Sequence, residues 1–393
     1  SIDLVALPSA VILLEGPSNN TAISASWKIP DSVVDTFTIT CSAGTASPAS
    51  ISVESSPTND TFTAYCIKLP TPGLEYIISV VAISNGKQSA VQTVGVHASP
   101  AGVDLTEGTL TTDSVSANWA QPQSAVERYS ISCSSGDASP ATIEDTTQPS
   151  YVASCDNLLV PGDTYTMTVD SIVNNGTTTT SSSIDLVALP SAVILLEGPS
   201  NNTAISASWK IPDSVVDTFT ITCSAGTASP ASISVESSPT NDTFTAYCIK
   251  LPTPGLEYII SVVAISNGKQ SAVQTVGVHA SPAGVELTEG SPTTTSVSVN
   301  WAKPDGTVES YSISCSSGDA SPATIEDTTQ PSYVASCDNL LVPGDTYTMT
   351  VDSIVNNGAT ITSSSIDLVA SPAGVELTEG SPTTTSVSVN WAK

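Results

Sequence analysis

Charged and aromatic residues are scarce in this chain of 393 residues. Only 12% of the residues are charged and 5% are aromatic. Nine basic residues stand against 37 acidic ones, which gives a formal net charge of −28. Nucleic-acid phosphates and anionic membrane surfaces would repel such a chain. We therefore expect no nucleic-acid partner.

Long hydrophobic runs are missing as well. A membrane-spanning helix needs about 20 apolar residues, whereas the longest runs here, Ala10–Leu14 and Ile77–Ile83, have the length of strands. We expect no membrane insertion within this segment. The chain lacks an initiator methionine and a signal peptide, and Ser1 stands in mid-pattern, so we expect a window on a longer protein.

A catalytic residue set is also missing. The two histidines, His97 and His279, lie far apart in sequence and are interpreted as solvated junction residues, so no Ser-His-Asp set can be assembled. Adjacent carboxylates such as Glu144 and Asp145 are interpreted as solvated surface, because acid–base chemistry needs a cleft. We find no glycine-rich phosphate loop and no dense acidic run for a cation. The sequence predicts no enzyme, no cofactor and no metal site.

What the chain does contain is a repeat of about 91 residues. Tryptophans recur at spacings of 92, 90, 92 and 90 residues, at Trp27, Trp119, Trp209, Trp301 and Trp391. Residues 1–103 are identical to residues 183–285, whereas the intervening segments differ, for example at Arg128 and Ser310. Two domain types, named A and B, therefore alternate. Recent duplication explains the identity, and selection for identical lateral contacts in an assembly is the alternative.

The repeat predicts six segments along the chain. Neither end segment could bury a core by itself, so neighbouring sequence or another chain would complete it. The predicted segments are 1–7 (last strand of a preceding domain), 8–99 (type A), 100–189 (type B), 190–281 (type A), 282–371 (type B) and 372–393 (first two strands of a further type B).

Alternating apolar residues predict strands within each domain. Ile23, Ala25 and Trp27 share one face of a strand, and Tyr76 opens the longest alternating run. Asn85-Gly86 is typical of a hairpin turn. About seven short strands in 90 residues indicate a sandwich of two sheets.

The domains resemble fibronectin type III domains. The resemblance rests on a Pro that opens each domain, a Trp on the second strand and the pattern Leu-x-x-Pro-Gly-x-x-Tyr, found at Leu69–Tyr76, Leu158–Tyr165, Leu251–Tyr258 and Leu340–Tyr347. It implies an all-β array of tandem seven-stranded fibronectin-III or immunoglobulin-like β-sandwiches that form an elongated rod. It also implies structural core positions for Trp27, Trp119, Trp209, Trp301, Tyr76, Tyr165, Tyr258 and Tyr347, the tyrosines forming tyrosine corners. The Arg-Gly-Asp tripeptide is absent, so integrin binding by that route is not supported.

Eight cysteines fall two to each complete domain. In the fold that the resemblance implies, the two cysteines of a domain lie on opposite sheets, so a disulfide would cross the core and contribute about 3 kcal/mol. Interchain bridges and a metal or redox role are the alternatives, although no Cys-x-x-Cys spacing occurs. Disulfides indicate an oxidising, extracellular location. The expected pairs are Cys41 with Cys66, Cys133 with Cys155, Cys223 with Cys248 and Cys315 with Cys337.

Five sequons for N-linked glycosylation lie in predicted loops. They are Asn19, Asn59, Asn175, Asn201 and Asn241. The runs Thr177–Ser183 and Thr293–Ser296 could carry O-linked sugar, although outward-facing strand residues explain them equally simply. Covalent glycans are therefore expected partners of the chain.

Almost no linker separates the domains. His97 is followed within three residues by Pro100, and the proline stiffens the junction. These features favour a structural repeat protein of an extracellular fibre, stalk or surface filament, whose partners are copies of itself or neighbouring domains. An adhesion-receptor ectodomain that binds a protein or glycan through its loops is the alternative, and a spacer array in a secreted carbohydrate-active enzyme is a weaker one.

Overall fold

A computed structural model describes residues 6–28, 33–47, 50–56, 61–157, 159–173, 176, 178–210, 213–227, 232–238, 243–339 and 342–392. These ranges hold β-strands, turns and loops, with a 3-10 turn at Asn356–Gly358. Over the same ranges, no helix has the length and apolar character that crossing a membrane requires. The predicted all-β fold is confirmed.

The chain divides into two compact units. The first comprises Ser1–Ser191 with Asp213–Val215 and Ser266–Lys269, and the second comprises Ala192–Pro212, Val216–Ile265 and Gln270–Lys393. Each unit holds the greater part of one A-type and one B-type sandwich.

The first A-type sandwich packs two antiparallel sheets against each other. One sheet has the order β1-β2-β5-β4, and in the other β6 pairs with β3 on one side and with β7 and β8 on the other. Ser89 to Val91 interrupt the last strand and split it into β7 and β8. The strands are β1 (Ile12–Ser18), β2 (Ala22–Lys28), β3 (Thr36–Ser42), β4 (Ser50–Ser56), β5 (Thr61–Ile67), β6 (Glu75–Ser84), β7 (Lys87–Gln88) and β8 (Gln92–His97).

The first B-type sandwich has sheets of order β12-β14-β10-β9 and β13-β11-β15-β16. The chain between β11 and β14 contributes one short strand to each sheet, which is the main difference from type A. The strands are β9 (Thr106–Leu110), β10 (Ser114–Ala120), β11 (Arg128–Cys133), β12 (Asp137–Ser139), β13 (Thr142–Ile143), β14 (Ser150–Asp156), β15 (Thr164–Val173) and β16 (Thr178–Val187).

The second A-type sandwich repeats the topology of the first, with β17-β18-β21-β20 in one sheet and β19, β22, β23 and β24 in the other. Its strands are β17 (Ile194–Ser200), β18 (Ala204–Lys210), β19 (Thr218–Ser224), β20 (Ser232–Ser238), β21 (Thr243–Ile249), β22 (Glu257–Ser266), β23 (Lys269–Gln270) and β24 (Gln274–His279).

The second B-type sandwich has the orders β25-β26-β30-β28 and β29-β27-β31-β32. Its strands are β25 (Thr288–Glu289), β26 (Ser296–Ala302), β27 (Ser310–Cys315), β28 (Asp319–Ser321), β29 (Thr324–Ile325), β30 (Ser332–Asp338), β31 (Thr346–Val355) and β32 (Thr360–Val369). Beyond it, β33 (Glu376–Glu379) and β34 (Val389–Ala392) form a two-stranded sheet on which Trp391 is 72% exposed.

Each sandwich has its own hydrophobic core between its two sheets. In the first, Ile23, Ala25 and Trp27 of β2 face Tyr76 and Ile78 of β6, and none of them is more than 1% exposed. The period-two alternation of these strands directs every second side chain inward. Four separate cores of this kind result, one in each A-type and B-type sandwich.

Candidate functional site: bridged cores, turns and junctions

An aromatic cluster occupies one end of each core. In the first A-type sandwich, the ring centroid of Trp27 lies 5.4 Å from that of Phe37 and 5.9 Å from that of Phe62. In the first B-type sandwich, Trp119 makes the same contacts with two tyrosines at 5.6 Å and 5.7 Å. The four tryptophans predicted as core residues, Trp27, Trp119, Trp209 and Trp301, are all buried.

The aromatic cluster contains ionisable tyrosines in type B but a phenylalanine at the equivalent position in type A. Tyr129 of the first B-type sandwich is buried, and burial raises its pKa to about 12 because the charged phenolate would lose its hydration. The nearby Tyr151 raises the pKa further, although its effect is smaller. Tyr311 in the second B-type sandwich has its pKa raised to about 12 for the same reason. Type A has Phe37 in this place and carries no ionisable group there.

The second predicted set of tyrosines forms a hydrogen-bonded corner. The backbone N–H of Thr71 donates to the hydroxyl of Tyr76 at 3.2 Å, and that hydroxyl donates to the Thr71 carbonyl oxygen at 3.2 Å. Tyr165 makes the same two bonds with the backbone of Val160. All four tyrosines are buried and have this pattern, at Tyr76, Tyr165, Tyr258 and Tyr347.

One disulfide joins the two sheets of each sandwich. Cys41 lies on β3 and Cys66 on β5, which belong to opposite sheets. The cross-link therefore spans the core four residues along these strands from Phe37 and Phe62 of the aromatic cluster. The bonded pairs, with their Cα–Cα distances, are Cys41–Cys66 (6.4 Å), Cys133–Cys155 (5.9 Å), Cys223–Cys248 (6.4 Å) and Cys315–Cys337 (6.0 Å).

Two of the predicted sequons lie in exposed turns between the first two strands of the A-type sandwiches. The side-chain oxygen of Asn19 accepts bonds from Thr21 N (2.9 Å), Thr21 Oγ1 (3.0 Å) and Ala22 N (2.8 Å). Asn201 repeats the arrangement with Thr203 and Ala204. The oxygen is thus fully engaged, whereas the side-chain nitrogen that would carry a glycan makes no bond within the described part of the chain. Asn59, Asn175 and Asn241 lie outside the described residues.

The turn at Asn19 also lies at the junction with the next domain. Ser99, immediately before Pro100, donates its N–H to the Asn19 carbonyl oxygen at 3.2 Å. In the second unit, Ser281 donates to Asn201 in the same way. A glycan on either asparagine would therefore stand beside an A-to-B junction.

Direct backbone contacts join an A-type sandwich to the B-type sandwich that follows it. In the first unit, the carbonyl oxygen of Pro72 accepts bonds from Ala125 N (2.9 Å) and Ser124 Oγ (3.1 Å). Gly73 has φ +82°, and a Cβ there would lie 2.0 Å from the Ala125 carbonyl oxygen. The glycine is thus required by its backbone conformation and by the close approach of the next domain.

The second unit repeats this junction with a different sequence. Thr307 N donates to the Pro254 carbonyl oxygen at 2.8 Å, and a Cβ on Gly255 would lie 2.0 Å from the Thr307 carbonyl oxygen. The Pro-Gly pair belongs to the pattern by which the sequence resembles fibronectin type III domains, but its contact with the following domain was not predicted. Its partners at the equivalent positions, Ala125 and Thr307, differ in type, so no shared motif marked them.

Side chains that might have served catalysis or metal binding are dispersed. His97 and His279 each end a strand and are half-buried. Asp145 is exposed, and hydrogen bonds from Thr147 and Gln148 lower its pKa, which gives it a role in holding a turn. Across the described ranges, no group of three or more His, Cys, Asp or Glu side chains is placed to hold a metal ion.

Comparison with known proteins finds one matching family and several similar chains. Residues 280–368 match the family model described as "Fibronectin type III domain". "Tenascin-R" of Homo sapiens is 25% identical over 249 residues, covering 61% of this chain and 18% of that protein. "Receptor-type tyrosine-protein phosphatase eta" of Gallus gallus is 24% identical over 403 residues, covering 100% of this chain and 27% of that protein. The chain thus spans less than a third of the length of these relatives.

A solved structure of a "two fibronectin type-III domain segment from chicken tenascin" aligns with a TM-score of 0.29 and 16% identity. The alignment covers 46% of this chain and 98% of that one.

Proposed function

We propose that the chain is a tandem array of fibronectin type III domains and that it is the structural repeat of an extracellular, glycosylated fibre, stalk or surface filament. The observation that carries the proposal is the junction. Pro72 and Gly73 dock directly on Ser124 and Ala125 with no linker between the domains. Such contacts suit a load-bearing array in which each domain fixes the next, as in other repeat proteins.

The repetition of sequence supports the same proposal. Residues 1–103 equal residues 183–285 at every position, exposed loops included. A receptor that binds one partner needs a binding surface on one domain, whereas a fibre presents the same surface at every repeat. Selection for uniform contacts therefore fits a structural role.

An extracellular location is supported by the disulfides and by the relatives. Each sandwich contains its own disulfide, and such bonds persist in oxidising compartments. Tenascin-R and the receptor-type phosphatase, whose matched segments resemble this chain, lend further support. Phosphatase activity, which the name of the second relative indicates, is not proposed for this chain.

Glycosylation at the A-type turns is part of the proposal. The side chains of Asn19 and Asn201 are exposed beside the junction, in a turn held by Thr21 and Thr203, and their nitrogens make no hydrogen bond to any residue that the structure describes. Peptide mass spectrometry of material from the source organism, with and without glycosidase, is expected to find a glycan on the peptide that contains Asn19. Unmodified Asn19 in all molecules would contradict this part of the proposal.

Electron microscopy of the purified native protein tests the structural role itself. We expect filaments with an axial repeat of about 65 Å, because the repeating unit is two domains, each as long as its longest strand of ten residues at about 3.3 Å per residue. Compact, isolated particles at every concentration would contradict a fibre.

An adhesion-receptor ectodomain is the second candidate, favoured by the two relatives named above. It predicts one domain whose removal abolishes binding of a soluble partner. The fibre proposal predicts that either A-type domain can be deleted together with its following B-type domain and that filaments still form.

A further inference from the structure

The two domain types use the same stretch of chain in opposite sheets. Ser50-Ile51 and Thr142-Ile143 each begin nine residues after the first bridged cysteine of their domain. In type B, this stretch is β13 and pairs with β11, placing Ile143 opposite Tyr129. In type A it begins β4 and pairs with β5, placing Ile51 opposite Cys66.

As a consequence, β3 of the A-type sandwich is an edge strand. Within the described ranges, β3 pairs with β6 alone, whereas β11 has β15 on one side and β13 on the other. The burial of the side chains on the two strands differs accordingly. Tyr129 and Ile131 of β11 are 0% and 4% exposed, whereas Phe37 and Ile39 at the same positions of β3 are only half-buried.

A groove lies along this open edge. Its volume is about 350 Å³, and its apolar lining comes from Val34, Phe37, Ile39, Val53 and Phe62. Exposed edges with an apolar groove are sites at which another strand can add to a sheet. The B-type sandwich shows the kind of strand that fits, because β13 lies antiparallel there and sets an isoleucine against the aromatic ring.

A second β3 strand meets these requirements. In type B, Ile131 directs its N–H to the added chain, donating to the Ala141 carbonyl oxygen at 2.8 Å. Ile39 has the same place on β3, and residues two apart on a strand direct their N–H groups to the same side. Two antiparallel β3 strands related by a two-fold axis at Thr38 set Phe37 of one copy opposite Ile39 of the other. That pair reproduces the aromatic–aliphatic contact of Tyr129 with Ile143.

Charge favours type A over type B as the place of contact between copies. Residues 8–99 carry six acidic side chains and three lysines, whereas residues 100–189 carry eleven acidic side chains and one arginine. Two like-charged surfaces repel each other less when their net charge is small. The A-type domain has a net charge of −3 and the B-type domain a net charge of −10, so contact between two A-type domains meets the weaker repulsion.

We propose that A-type domains pair with A-type domains of a second copy of this chain through antiparallel contact between their third strands, β3 in the first A-type domain and β19 in the second. This contact rests on the proposed fibre and supplies its lateral association. It uses an identical surface in both A-type copies, since Phe219 and Ile221 of β19 are half-buried like their counterparts on β3.

Cysteine cross-linking of the full chain tests the register. Thr38 and Thr220 are exposed and face away from the core. In the proposed pairing, each lies opposite a threonine of the second copy in a non-hydrogen-bonded position, where the Cα atoms are about 4.5 Å apart, within the range that a disulfide spans. The double variant Thr38→Cys with Thr220→Cys is therefore expected to give covalent dimers under mild oxidation, about tenfold more than either control.

Two matched controls separate this pairing from random collision. Thr40→Cys with Thr222→Cys shifts the thiols two residues along the same exposed face, out of register. Ser130→Cys with Ser312→Cys places them on the B-type strand whose edge β13 or β29 already covers. Equal cross-linking of all three variants would overturn the proposal, as would the absence of dimers in the first.

A charge variant provides a second readout without new thiols. Thr38→Lys with Thr220→Lys sets like charges directly opposite each other in the pairing, which is unfavourable. Sedimentation at increasing concentration is expected to show association of the unmodified chain and its loss in this variant, whereas Ser130→Lys with Ser312→Lys associates normally. Association that survives the first variant would contradict the pairing.

The outcomes also distinguish this contact from the proposed function. If native filaments are found but the Thr38→Cys variant does not cross-link, the proposed fibre is supported and the proposed pairing of β3 strands is contradicted. Cross-linked dimers of a protein that occurs natively as isolated particles would support the pairing and overturn the fibre.

Discussion

Gly73 approaches Ala125 of the following domain so closely that no side chain fits between them. A Cβ on Gly73 would lie 2.0 Å from the Ala125 carbonyl oxygen, and the Ala125 N–H donates to Pro72 at 2.9 Å. Gly86 offers a matched control, because it has a similar φ of +73° but nothing lies within 4 Å of its Cβ position.

We predict that Gly73→Ala loosens the junction and Gly86→Ala does not. Each substitution costs about 1 kcal/mol because alanine disfavours a positive φ, but only the first must displace the next domain. Hydrogen exchange at the Ala125 amide is expected to speed up in Gly73→Ala and to remain unchanged in Gly86→Ala. Equal exchange in the two variants would show that the contact does not hold the domains.

Removal of the disulfide in one domain is expected to destabilise that domain alone. The variant Cys133→Ala with Cys155→Ala frees a 22-residue loop in the unfolded state, at a cost of about 3 kcal/mol. In calorimetry of the full chain, the transition of that domain should move down by about 10–20 °C. A shift of every transition, or of none, would contradict four independently bridged cores.

The tyrosine corner is expected to contribute measurably to the stability of type A. Tyr76→Phe with Tyr258→Phe removes the hydroxyls that bond the backbone of Thr71 and Thr253, which should cost about 1–2 kcal/mol in each domain. Tyr65→Phe is the control, since the Tyr65 side chain lies on the outer face of β5. Thermal denaturation that affects both variants equally would argue against the corner.

B-type domains should lose stability in strong alkali through their buried tyrosines. The unfolded chain releases the phenol proton near pH 10, whereas burial raises the pKa of Tyr129 and Tyr311 to about 12 in the folded state. The folded state keeps the phenol proton up to a higher pH than the unfolded state does. The stability that these buried tyrosines contribute is therefore fully present below pH 10 and is lost as the pH rises to about 12.

The variant Tyr129→Phe with Tyr311→Phe should not lose this stability, because type A already carries phenylalanine at the position. Melting temperatures between pH 9 and 12, taken with phenolate absorbance, provide the measurement. Parallel pH curves for the two proteins would show that burial does not shift these tyrosines.

Local patterns were sufficient to predict the sandwich. Alternation at Ile23, Ala25 and Trp27 identified a core strand because the period of side chains along a strand is two, and the structure buries all three. The Asn85-Gly86 turn has positive φ at both residues, which suits the hairpin that the sequence predicted.

These local patterns did not predict which distant strand each segment pairs with. Ser50-Ile51 and Thr142-Ile143 are both short alternating segments, yet they join opposite sheets. Both segments carry the same alternation, so the period of the side chains does not indicate which sheet each one joins. The contact of Pro72 with Ala125 was missed for a related reason, because it joins residues of different domains through backbone atoms.

Immunogold electron microscopy of the source cells tests the central claim most directly, with an antibody raised against the repeated A-type sequence. We predict gold particles outside the cell, spaced along filaments at multiples of the two-domain repeat. Label confined to the cell interior, or scattered over particles with no periodic order, would contradict an extracellular fibre built from these domains.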